Sequence, residues 1–98
     1  MILVRDIFQL KFGKAKEAKA LAKEISAVEK KYGYPPSRTL TDLTGPYYIL
    51  VTEAVHESLA AYEQSMKNTM GAEEFGKWYQ QFIPLVDSGR REIFTIVE

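Results

Sequence analysis

The chain has 98 residues, 46% of them hydrophobic and 27% charged, with 13 basic side chains balanced by 13 acidic ones. A chain of this length supports one modest core that buries about 65% of the unfolded surface, and a formal net charge of zero removes the attraction on which nucleic-acid binding depends. With no cysteine there is no disulfide, thiolate nucleophile or cysteine-ligated metal, and one histidine cannot build a histidine metal cluster. We therefore expect a single domain over residues 1–98, in the cytoplasm, with no metal, no cofactor and no nucleic-acid partner. Ile2-Leu3-Val4 meets Arg5 and Asp6 at once, too short a run for a membrane span or a leader, so no membrane association is expected.

Residues 2–11 are rich in strand formers and run into a turn at Phe12-Gly13. One alternating set, Ile2, Val4, Asp6, Phe8 and Leu10, is mostly apolar; the other, Leu3, Arg5, Ile7, Gln9 and Lys11, is mixed. From Ala15 the period becomes helical, with Ala18, Leu21, Ala22, Ile25, Val28 and Tyr32 on one stripe, until Gly33 and Pro35-Pro36 stop it. Its lysines, interleaved with Glu17, Glu24 and Glu29, read as a solvated outer face. A polar second strand over residues 38–44 has the character of a sheet edge. Thr44-Gly45-Pro46 then turns the chain into a third strand over residues 47–54, whose Tyr47, Tyr48, Ile49, Leu50 and Val51 are apolar on both faces and so belong at the sheet centre.

Leu59, Tyr62, Met66 and Met70 recur at helical intervals and mark a second helix. Phe75, Trp78, Tyr79, Phe82, Leu85 and Val86 form the stripe of a third, which Pro84 kinks or ends. Asp87-Ser88-Gly89 reads as a turn into a fourth strand over residues 91–97.

The resulting order is β-α-β-β-α-β with a two-piece second helical connection, the α+β ferredoxin-like arrangement. Right-handed crossovers give a four-stranded antiparallel sheet of order 4-1-3-2 with all helices on one face. The other face is then bare and carries apolar groups from several strands, more than a soluble monomer leaves exposed. A second copy packed sheet to sheet covers it most simply, in an interface on the order of 1,600 Å². A homodimer is expected.

His56 is the side chain whose ordinary pKa lies nearest neutrality, which makes it the candidate general base, with Arg5 or Arg38 as charged partners. The bland alternative for His56 is a polar residue at a helix start, and for Ser58 a helix cap. Trp78 in the aromatic stripe, with Tyr48 and Asp42, is the candidate lining of a ligand pocket between sheet and helices.

Four stretches carry a resemblance to a known family: Phe12-Gly13-Lys14-Ala15-Lys16-Glu17-Ala18, Thr44-Gly45-Pro46-Tyr47, Glu57-Ser58-Leu59-Ala60-Ala61-Tyr62-Glu63 and Arg91-Glu92-Ile93-Phe94. Over nearly its whole length the chain resembles the dimeric α/β barrel superfamily, and within it the NIPSNAP-like proteins and their antibiotic-biosynthesis-monooxygenase-like relatives. The resemblance implies a homodimer that binds a small organic molecule. Two further readings are a cofactor-independent monooxygenase of an aromatic or polyketide-like substrate and a non-catalytic interaction or stress-response scaffold. The haem-degrading branch of the superfamily uses an Asn, a Trp and a His; Asn68, Trp78 and His56 occur here once each, at positions that depart from that pattern.

Overall fold

A computed structural model describes residues 1–98. The elements run β1 (Ile2–Leu10), α1 (Ala15–Lys31), β2 (Ser37–Thr41), β3 (Ile49–His56), α2 (Leu59–Met70), α3 (Glu73–Phe82), a 3₁₀ turn (Ile83–Leu85) and β4 (Val86–Thr95). The strands form one sheet in the order β2-β3-β1-β4, the expected order read from the other edge, and every pair is antiparallel. The fold is ferredoxin-like. No helix is long and apolar enough to cross a membrane.

Local chemistry fixes most boundaries. Gly33, at φ 81°, supplies the left-handed turn after α1, and Pro35-Pro36 keep the chain extended into β2. Ser58 caps α2, its hydroxyl accepting the Ala61 amide at 3.1 Å.

The bounds of β2, β3 and β4 differ from those expected, for tertiary reasons. Tyr47 and Tyr48 lie before β3, and Tyr48 has φ 63°, which no strand residue adopts. The hairpin closes at Asp42 and Ile49 instead: the Ile49 amide donates to Asp42 Oδ1 at 2.7 Å, and the Asp42 amide donates to the Ile49 carbonyl at 3.2 Å. β2 accordingly stops at Thr41 rather than Thr44. β4 begins at Val86 rather than Arg91, so Asp87, Ser88 and Gly89 are strand, with Ile96 and Val97 beyond its end. Gly89 pairs with Phe8, whose ring carbon would stand 3.0 Å from a Cβ at position 89. Glycine serves there for close approach across strands, not for a turn.

The pleat sorts side chains cleanly. Val4, Leu10, Leu50 and Ala54 point to the helices and are buried. They divide between two clusters, one around Leu10, Leu21, Leu50, Phe82 and Leu85, the other around Val4, Tyr34, Ala54 and Tyr62. The opposite face bears Leu3, Ile7, Leu40, Ile49, Val51 and Phe94, and no helix packs on it. The slab measures 36 × 34 × 18 Å between Cα extremes, its thickness room for one sheet and one helical layer.

One row of that open face is charged. Arg38, Glu53, Arg5 and Glu92 stand side by side across β2, β3, β1 and β4 in register. Glu53 accepts from Arg5 Nε at 2.7 Å and from Arg38, and Arg5 reaches Glu92 at 3.6 Å while lying 5.1 Å over the Phe94 ring. Alternating signs make the row self-neutralising. The Arg38 hydrogen bond and then that of Arg5 hold the Glu53 carboxyl below the usual carboxylate range.

Candidate functional site

A cavity of about 310 Å³ lies between the helix-covered face of the sheet and the helices. Val4, Phe8, Leu50 and Ala54 form its sheet wall, and Ala22 and Ile25 of α1 face them. Met66 of α2 with Phe75 and Trp78 of α3 closes the remainder. It lies between the two core clusters and borrows lining from both. An outer groove of about 410 Å³ along β4 borders the cavity and shares Asp6, Phe8, Tyr79, Phe82 and Arg91 with it.

The aromatic wall is rigidly held. Trp78 stacks on Phe82 with ring centroids 4.8 Å apart, and its Nε1 donates to the Leu21 carbonyl at 2.7 Å. With that donor engaged, Trp78 offers the cavity an apolar ring only.

Polar groups complete the lining. Arg91 Nε donates to Asp6 Oδ1 at 2.6 Å, joining β4 to β1 at a register pair. Glu29 of α1 is half-buried on the cavity wall and forms no salt bridge. Burial, reinforced by the nearby Asp6 charge and partly offset by Ser37, pushes its carboxyl up to about 7. Burial also raises the Tyr34 hydroxyl. Thr69 lines the cavity at 2% exposure, and its hydroxyl has no hydrogen-bond partner.

Of the residues singled out in the sequence, Trp78 lies on this wall. The expected grouping of His56 with Arg5 or Arg38 beside it is not assembled. Arg5 and Arg38 are on the open face of the sheet, bound to Glu53, with the sheet between them and the cavity. His56 is the last residue of β3, 2% exposed between the rings of Tyr34 and Tyr62, each 5.0 Å away and edge-on. Its Nε2 has no partner, and burial lowers its pKa, favouring the neutral ring. Tyr48 packs on the cluster around Leu10 and edge-on to Phe12, and Asp42 is committed to the hairpin closure; neither lines the cavity.

Glu29, Thr69 and Arg91 were not anticipated there, whereas Asp6 was among the strand charges whose face the sequence left open. Asp6 had a signal: it is the one charge in the set Ile2, Val4, Phe8, Leu10. Glu29 had one too, since it follows Ala22 and Ile25 at helical spacing, although its neighbouring lysines suggested the solvated face.

No family model matches the chain, and no curated protein matches it in sequence. Solved structures do match. A NIPSNAP family protein from Agrobacterium tumefaciens aligns with a TM-score of 0.90 at 16% identity, over 99% of this chain and 93% of that one. The fold is that of the NIPSNAP domain proteins. An uncharacterized NIPSNAP domain protein from Burkholderia xenovorans aligns at 0.86 with 10% identity, over 99% and 95% of the two chains. A variant of SnoaB, a cofactor-independent oxygenase from Streptomyces nogalater, aligns at 0.70 with 11% identity, over 99% and 93%. The NIPSNAP structures are thus closer in shape to this chain than the SnoaB structure is, and at these identities what all of them share with it is the fold.

Proposed function

We propose that this is a homodimeric NIPSNAP-like protein that binds a small organic molecule in the cavity between sheet and helices. The observation that carries the reading is the cavity itself. A volume of about 310 Å³ falls within the range of small-molecule sites. Its walls combine fixed aromatic rings with a few convergent polar groups, among them a carboxyl displaced towards neutrality, the usual mark of a site rather than a packing fault.

The homodimer has independent support. An open sheet face with Leu40 39% and Phe94 44% exposed calls for a cover, and its charged row is self-neutralising, so two such faces can approach without net repulsion.

A second reading, a cofactor-independent monooxygenase of an aromatic or polyketide-like substrate, draws on Glu29. A half-buried carboxylate near neutrality against an aromatic wall is suited to accept a proton from an acidic substrate carbon or hydroxyl.

Thermal-shift screening with small aromatic compounds on the wild type and on Ala22→Leu, which fills the cavity from α1, tests binding. Compounds that raise the melting temperature of the wild type and not of the variant are expected. No stabilising compound, or equal stabilisation of both proteins, would overturn the reading. Substrate-dependent oxygen consumption, abolished in Glu29→Gln, would decide for the monooxygenase.

A further inference from the structure

We propose that the occupant of the cavity is an amine carried on an apolar, preferably aromatic, body, its ammonium group at Glu29 and its body against Phe75 and Trp78. The inference rests on the reading of the cavity as a ligand site and narrows it to a chemical class.

Charge is the first argument. Glu53 turns to Arg5 and Arg38 on the far side of the sheet, and Asp6 is held by Arg91. Glu29 alone among these carboxylates lacks a cationic partner, so the charge left uncompensated inside the cavity is negative. An anion placed there would meet Glu29 and Asp6 with one guanidinium already engaged. An ammonium group supplies the missing partner and N–H donors for charge-assisted hydrogen bonds.

The second argument is an unmet need. Thr69 lines the same cavity, and its hydroxyl is buried without a partner; a buried polar group in that state costs stability until something pairs with it, which a side-chain rotation towards an occupant would allow. An ammonium N–H is a partner of the right kind.

Geometry is the third. Ala22, Ile25 and Glu29 follow one another along a single stripe of α1, and Trp78 is anchored at Leu21, eight residues or about 12 Å of helix axis from Glu29. A bare ammonium ion or a methylamine cannot reach both ends. An arylalkylamine can, with its ring facing side chains that offer only π surface.

Asp6 from β1, Tyr34 from the loop after α1 and Ser37 from β2 act on Glu29 directly, and Thr39 from β2, Thr69 from α2 and Arg91 from β4 are the other polar groups that line the cavity with it from the elements packed there. A bound ammonium group draws the proton from Glu29, so amine affinity rises with pH through neutrality.

Titration calorimetry of the full chain with tryptamine, its neutral alcohol isostere tryptophol, and indole-3-propionate tests this in the wild type and in Glu29→Gln. Tryptamine is expected to bind about tenfold more tightly than tryptophol at about pH 8, with indole-3-propionate weakest and the advantage shrinking below about pH 6. Glu29→Gln is expected to bring tryptamine within about twofold of tryptophol and to leave tryptophol unchanged. Equal or tighter wild-type binding of tryptophol or indole-3-propionate overturns the amine proposal while keeping the cavity reading, and so does a tryptamine preference that survives in the variant. Failure of all three probes to bind overturns both.

Discussion

Arg5 and Glu53 meet at 2.7 Å across the β1–β3 register, on the sheet face that carries no helix. Glu53 is 7% exposed although no helix covers it, because Arg5 and Arg38 close over it from either side. What shields this carboxylate is the alkyl stems of its own cationic partners.

Glu53→Gln is therefore expected to destabilise the fold at neutral pH by about 1 kcal/mol, below the usual range for charged hydrogen bonds because Arg38 stands mostly in solvent. Glu53 titrates below its ordinary value of 4.5, so its contribution is fully present above 4.5 and is lost as pH falls through the folded value. Melting curves of wild type and variant should converge on acidification. A gap that is constant with pH would place the effect elsewhere.

Glu29 has the opposite sign. Its folded value of about 7 lies above the ordinary 4.5, so stability is greatest below 4.5 and is lost as pH rises through about 7. Glu29→Gln should stabilise the protein above about pH 7, by on the order of 1 kcal/mol once solvent at the cavity mouth is allowed for, and make no difference below 4.5. Chemical denaturation of both proteins across this range checks it, and a variant less stable than wild type at pH 8 would contradict it.

Gly89 faces Phe8, which is fixed by an edge-on contact with Phe82 at 5.1 Å. Gly89→Val should cost roughly 1–3 kcal/mol through overpacking, read as a lower urea midpoint with an unchanged slope. An unperturbed midpoint would mean that Phe8 yields into the cavity.

What could be read from the sequence followed from local signals. Helical period with Gly33 and Pro35-Pro36 bounded α1, the stripe containing Trp78 located α3, and the order of elements gave the sheet topology. What could not be read depended on partners distant in the chain. Tyr47 and Tyr48 look like strand because aromatic residues favour strands, and only the Asp42–Ile49 closure excludes them. Asp87-Ser88-Gly89 looks like a turn until Phe8 is opposite Gly89. The site suffered most, since Arg5 and Asp6 are adjacent in sequence yet lie on opposite faces, and the pleat alone decides which one meets the cavity.

The proposed homodimer predicts sedimentation at twice the chain mass of 11.2 kDa at micromolar concentration. Val51, at the centre of the open face between Leu40 and Ile7, is the sensitive position, and Val51→Asp should yield folded monomer. Wild-type protein sedimenting as a single chain would contradict the dimer.

The central claim is that a small molecule enters between sheet and helices, and amide chemical-shift mapping during titration with tryptamine tests it most directly. Perturbations centred on Ala22, Ile25, Glu29, Thr69, Phe75 and Trp78 are predicted, with Leu3, Leu40 and Val51 unmoved. Shifts confined to the open face, or no shifts at any residue with tryptamine, tryptophol or indole-3-propionate, would contradict it.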